Sequence, residues 1–196
     1  RLLHLLEAGR ERKLTLLSAP AGFGKTTLVR QWLADSATRG TAPAVAWLAL
    51  DAGDNDPLRF WRYLVAACRA FGPELGAQSL ALLDAPIAIK SPLEMILTAL
   101  VNELAQIPGE GLLVLEDYHA ISTPQIHESI AMLLDHLPAH LHLLIISRTQ
   151  PPLPLARLAA AGELTTIEAP ELRFSNAETE AFLEQAAAPA LQADAL

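Results

Sequence analysis

The stretch Ala19-Pro20-Ala21-Gly22-Phe23-Gly24-Lys25-Thr26 restricts the possible folds of this chain more than any other. It follows an apolar run, Leu14 to Leu17, and precedes Leu28, Val29, Trp32 and Leu33, which recur at helical spacing. The pattern reads strand, loop, helix. Small loop residues let successive backbone N–H groups converge, and a helix starting near Lys25 aims its positive dipole end at whatever the loop holds. Converging N–H groups and a lysine suit a polyphosphate. In the pattern Gly-x4-Gly-Lys-[Ser/Thr] the lysine reaches the β- and γ-phosphates and the hydroxyl ligates Mg²⁺. The candidate nucleotide-binding residues are therefore Ala21, Gly22, Phe23, Gly24, Lys25, Thr26 and Thr27. Ala19 stands where the pattern has its first glycine. It is expected to adopt an ordinary backbone conformation, with Gly22 supplying the left-handed turn and Gly24 the close approach to phosphate.

The 196 residues suit one α/β domain, and 52% hydrophobic against 18% charged residues is enough to bury a real core. A net charge of −8 leaves no basic footprint for DNA or anionic lipid, so direct nucleic-acid binding by this segment and membrane association are not expected. A single cysteine, Cys68, excludes an internal disulfide, and no apolar stretch approaches the roughly 18 to 20 residues of a membrane span. A cytoplasmic location is the expectation. The chain opens at Arg1 without Met or a leader pattern and closes on an Ala-rich segment, which suggests that residues 1–196 are one domain of a larger protein.

Arg1 to Gly9 reads as a short amphipathic helix and Ala44 to Leu50 as a second strand. Asp56 is the expected N-cap of a helix with Pro57 at its first position, and Cys68 lies on the apolar face of that helix. Gly72 to Lys90 reads as a connecting excursion around a short Ala/Leu segment. Ser91 and Glu94 form a capping box for the next helix, Leu112 to Leu115 is a continuously apolar strand, and Thr123-Pro124 caps a helix carried inward as far as Leu137. Leu141 to Ile146 is a fourth buried strand, Leu164 to Glu168 a brief fifth, and Ser175 and Glu178 form a second capping box before Phe182 and Leu183. Strands alternating with helices imply a parallel sheet with right-handed crossovers.

In such a sheet ligands bind at the strand C-termini, where three polar endings meet: the glycine-rich loop, Glu116-Asp117 and Ser147-Arg148. Glu116 and Asp117 are candidates for Mg²⁺ ligation with Thr26 and for orienting the attacking water. Arg148 is the candidate γ-phosphate sensor. The strand Ala44 to Leu50, between the loop strand and the acidic strand in sequence, points to the additional-strand (ASCE) type of P-loop NTPase. That fold is a three-layer αβα sandwich on a parallel sheet of about five strands, with the strand ending at Arg148 between the other two. Asp51, Asp54 and Asp56 lack the Gly and terminal Glu of a calcium loop and read as caps. His136, His140 and His142 straddle Pro138 and read as surface and packing residues, not as a zinc site.

Taken together, Ser18 to Thr27, Trp47-Leu48 with Leu50-Asp51 and Asp54-Asn55, Leu113 to His119, Ser147-Arg148 and Leu172-Arg173-Phe174-Ser175 resemble the ATPase domain of the MalT-like, large ATP-binding LuxR-type transcription activators, within the STAND signal-transduction ATPases. The resemblance covers nearly the whole chain. It implies nucleotide binding by Ala21 to Thr27, metal and water handling by Glu116 and Asp117, and γ-phosphate sensing by Arg148. Glu116 departs from the family, which carries two aspartates here; its extra methylene puts the carboxylate about 1.5 Å farther out. The implied function is a slowly hydrolysing switch that takes ATP or ADP with Mg²⁺, self-associates in the ATP state, and serves a regulator whose DNA-binding helix-turn-helix lies elsewhere. The alternative is a P-loop kinase or other turnover ATPase, whose arginine-bearing lid the sequence after Arg148 supplies only with Arg157.

Overall fold

Runs of Leu, Val and Ile that are apolar on both faces form strands covered on both sides. The central ones are β1 (Leu14–Ser18), β3 (Gly111–Glu116) and β4 (Leu141–Ser147), while β2 (Ala44–Ala49) and β5 (Leu164–Glu168) are edge strands and partly exposed. The computed structural model describes residues 1–85 and 92–173. All pairings are parallel, in the order β2-β3-β4-β1-β5. Ile145 of β4 sits opposite Leu16 on one side and Leu115 on the other, so β4 separates the loop strand from the acidic strand, as the additional-strand order requires.

Helices cover both faces. On one, α1 (Leu2–Gly9), α2 (Lys25–Thr38) and α8 (Ala169–Leu172) bury Leu6, Val29, Trp32 and Leu172 against Leu17, Val114, Leu144 and Ile146. On the other, α3 (Pro57–Cys68), α4 (Ala77–Asp84), α5 (Pro92–Leu104), α6 (Pro124–Asp135) and α7 (Leu155–Ala160) cover Leu16, Leu113, Leu115 and Leu143. The fold is a three-layer αβα sandwich. The buried Trp61 indole of α3 donates to Ser129 Oγ of α6 at 2.9 Å. With no water to compete, that bond contributes about 1 kcal/mol net and fixes the two helices relative to each other.

Local signals behave largely as their chemistry dictates. Asp56 caps α3 by accepting from the Arg59 N–H at 2.8 Å, and Pro57 occupies the first turn. Cys68 is buried, and burial with the neighbouring Glu103 carboxylate pushes its thiol up to about 12, so it is an inert core residue. The Ala/Leu segment of the excursion is a full helix, α4, packed beside α5. Helix α6 stops at Asp135 instead of running to Leu137, because a residue preceding proline is pushed out of the α region. Leu137 is buried from the connection that follows. Thr123 stands at the α6 N-cap position, but its hydroxyl donates to the Asn55 carbonyl at 2.7 Å and makes no cap. Ser91, and the capping box of Ser175 and Glu178 with Phe182 and Leu183, lie outside the described residues. Among the described residues no helix is long and apolar enough to cross a membrane.

Candidate functional site

Strand β1 delivers the glycine-rich loop to the C-terminal edge of the sheet. Ala19 is buried there, with an ordinary backbone conformation, and its N–H donates to Ser147 O at 3.3 Å. The left-handed turns fall at Gly22, with φ of 85°, and at Gly24, with φ of 69°. A Cβ at either position would meet nothing within 4 Å. Glycine is needed for the backbone conformation, and the space above the loop is open. Ala21 and Thr27 are exposed, while Phe23 is half-buried against the α1/α2 side of the core.

Lys25 opens α2 and is only 8% exposed. Its ammonium lies across its own loop, donating to Ala19 O at 2.6 Å and Pro20 O at 2.9 Å. Burial, with the Arg148 guanidinium next, holds this ammonium below the ordinary lysine range, and the Asp117 carboxylate opposes the shift. A phosphate entering the loop has to replace two carbonyl acceptors with oxygens that carry more charge, an exchange the lysine favours.

One residue on, the Thr26 hydroxyl donates to Glu116 Oε1 at 2.5 Å, and the Trp47 indole N–H donates to Glu116 Oε2 at 2.8 Å. The ends of α2, β3 and β2 thereby meet at one carboxylate. The Arg30 guanidinium lies over the Trp47 ring, 5.7 Å from its centroid. Two hard oxygen donors from Thr26 and Glu116 in contact are the kind Mg²⁺ takes, and the residues present fit that ion.

Asp117 follows in a left-handed conformation, with φ of 56° and ψ of 37°. Its side chain is 51% exposed and lies 3.7 Å from His119 Nδ1. Burial first, then the Arg148 and Lys25 charges, lower the His119 pKa against the pull of Asp117. Arg148 is exposed at the end of β4. Its influence on both Lys25 and His119 sets it among the same group of charges. Ser147 is turned away into a local bond, its hydroxyl donating to Thr149 O at 2.6 Å.

The polar turn after β2 has a role that sequence reasoning missed. Asn55 Oδ1 accepts from the Ser122 N–H at 2.7 Å and the Thr123 N–H at 3.1 Å, while its Nδ2 donates to Ala120 O at 2.8 Å. This one amide locks the turn beyond β2 to the segment leaving Asp117. The Asp54-Asn55 pair was visible as a motif, but nothing local to it reveals a bond partner more than 60 residues away. Asp51 and Asp54 form a reciprocal capping box on the 3₁₀ turn Ala52–Asn55. His136, His140 and His142 face three separate carbonyls, those of Met132, Leu104 and Arg12.

A five-stranded parallel sheet of this order, with a lysine-bearing glycine loop after its fourth strand in space, defines a P-loop ATPase of αβα architecture. More narrowly, residues 1–146 match the AAA ATPase domain family, and the chain belongs to it. It is 37% identical over 185 residues to the HTH-type transcriptional regulator MalT of Cronobacter sakazakii, an alignment covering 94% of this chain and 20% of that protein. MalT of Vibrio cholerae is also 37% identical, over 187 residues, with the same shares covered. The chain thus spans about a fifth of the length of these relatives. Among solved structures, the Aeropyrum pernix ORC1 protein in complex with DNA superposes with a TM-score of 0.57 at 18% identity, over 96% of this chain and 48% of that one. A STAND protein with a tetratricopeptide-repeat sensor from Pyrococcus horikoshii gives 0.52 at 15% identity, over 86% and 22%. Both likenesses concern the fold.

Proposed function

We propose that this domain is a nucleotide-operated switch within a MalT-like transcription regulator, binding Mg-ATP in the loop Ala21 to Thr27, hydrolysing it slowly, and coupling nucleotide state to self-association. The observation that carries the reading is the 2.5 Å contact between the Thr26 hydroxyl and Glu116, one step from a buried lysine at the mouth of an open glycine loop. Loop N–H groups and the Lys25 ammonium bind and orient the β- and γ-phosphates. Thr26, Glu116 and Asp117 hold Mg²⁺, which when bound neutralises developing phosphate charge. Asp117 accepts a proton from the attacking water, and Arg148 donates to the γ-phosphate.

The openness of the edge supports slow turnover. With Asp117 51% exposed, water competes with each interaction and weakens the electrostatics that speed phosphoryl transfer. A kinase reading is disfavoured, because Arg157, the arginine available to a lid, is ion-paired to Asp135.

Calorimetric titration with ATP and Mg²⁺ tests the proposal. Lys25→Ala should abolish measurable binding while the unfolding midpoint stays near that of the wild type. Equal affinity in the two proteins would sink the nucleotide-loop assignment.

A further inference from the structure

We infer that Trp47 is a positioning residue for the carboxylate of Glu116, presetting it for the metal side of the site; the inference rests on the function proposed above. Trp47 pairs in register with Val114, and Ala49 with Glu116. Strand side chains alternate, so Trp47 and Glu116 lie on one face of the sheet, two residues apart in register. That is the face covered by α2, which carries Thr26. The geometry lets the indole reach one carboxylate oxygen at 2.8 Å while the other meets Thr26 at 2.5 Å.

The chemistry of the contact is specific. An indole N–H can only donate, so it holds the Glu116 oxygen as an acceptor. A glutamate at a strand end has one more rotatable bond than an aspartate and would otherwise scatter among rotamers, each placing the oxygens differently. Mg²⁺ demands near-ideal geometry, so a longer ligand side chain needs an outside constraint to be useful. Trp47 supplies it, and Arg30 over the ring closes the indole from the far side. The other two tryptophans serve elsewhere. Trp32 donates to Glu7 and Trp61 to Ser129, and both rings are fully buried, whereas Trp47 is half-buried.

The test is calorimetric titration of ADP at graded Mg²⁺ and again in EDTA, on the wild-type chain and on Trp47→Phe. The Mg²⁺ concentration giving half the metal-dependent gain in affinity should rise about tenfold, a typical loss when a residue orienting a metal ligand is removed. Affinity in EDTA should not change. Replacing Trp47 with benzothienylalanine, which keeps the ring shape and loses the N–H, should reproduce the shift and so separates the hydrogen bond from packing. In a Glu116→Asp background, where the shorter carboxylate withdraws from the indole, Trp47→Phe should add no further shift. Unchanged Mg²⁺ dependence in either Trp47 variant, or an equal loss with and without Mg²⁺, would overturn the inference while leaving the nucleotide site standing. A wild-type chain that binds no nucleotide would overturn both.

Discussion

Thr26 Oγ1 stands 2.5 Å from Glu116 Oε1, joining the first turn of α2 to the end of β3 across the end of β4. A hydroxyl has one hydrogen and two lone pairs, so donating to Glu116 leaves Thr26 able to accept a cation. The two residues thus hold each other in the arrangement a bound ion would need, and binding requires only a small adjustment.

Asp117→Asn should retain ATP and lose hydrolysis by about a hundredfold, the low end of what a positioned general base contributes. Phosphate release under saturating Mg-ATP measures it. A wild-type rate would transfer the role to Glu116.

Arg148→Ala should weaken ATP binding about ten- to hundredfold and ADP binding little, because a charge-assisted bond to the γ-phosphate contributes about 1.5 to 3 kcal/mol. A ligand shifts a conformational equilibrium only through interactions that differ between states. The variant should therefore also lose any ATP-dependent self-association in sedimentation velocity. Equal losses for the two nucleotides would make Arg148 structural.

Asn55→Ala should destabilise the fold by about 2 to 3 kcal/mol, since the amide satisfies two backbone N–H groups and a carbonyl. Urea unfolding at neutral pH provides the measurement. A change below about 0.5 kcal/mol, the range of an ordinary surface substitution, would mean that water replaces the amide without loss.

Acid should weaken the fold through His142. Burial above all, with the Arg10 charge adding and the bond to Arg12 O opposing, pushes this ring down from 6.5 to about 4. The unfolded chain therefore takes up the proton first, and stability that is complete above about pH 6.5 falls as pH drops toward 4, by at most about 3 kcal/mol. His119 and His127, both lowered chiefly by burial, act in the same direction. Urea midpoints between pH 4 and 7 should show a shallower slope for His142→Leu, and an identical slope would remove His142 from the account.

Much of the fold was written in local pattern. Four apolar runs bounded by turn residues and the brief segment Leu164 to Glu168 became five strands, and the glycine loop between Leu17 and Leu28 sits where a strand, turn and helix had to place it. Alternation along β3 also brings Glu116 to the sheet edge beside the loop. What the pattern could not give was which side chains meet. Trp47 and Glu116 are 69 residues apart and Asn55 and Ser122 are 67 apart, and their contacts depend on strand order and register, which periodicity does not encode. Thr123 shows the converse. Its sequence context is that of a cap, yet tertiary structure offers its hydroxyl the better acceptor at Asn55.

Asp117 is the non-glycine residue at positive φ among those described. Holding an aspartate in that conformation costs on the order of 1 kcal/mol, which glycine would largely recover. Under the function proposed here, the same residue carries the water-activating carboxylate. Selection for a tougher protein and selection for a working one therefore pull in opposite directions at this position. A library screened for heat resistance alone should drift toward glycine there and collect well-folded domains that bind nucleotide and stay locked in the bound state.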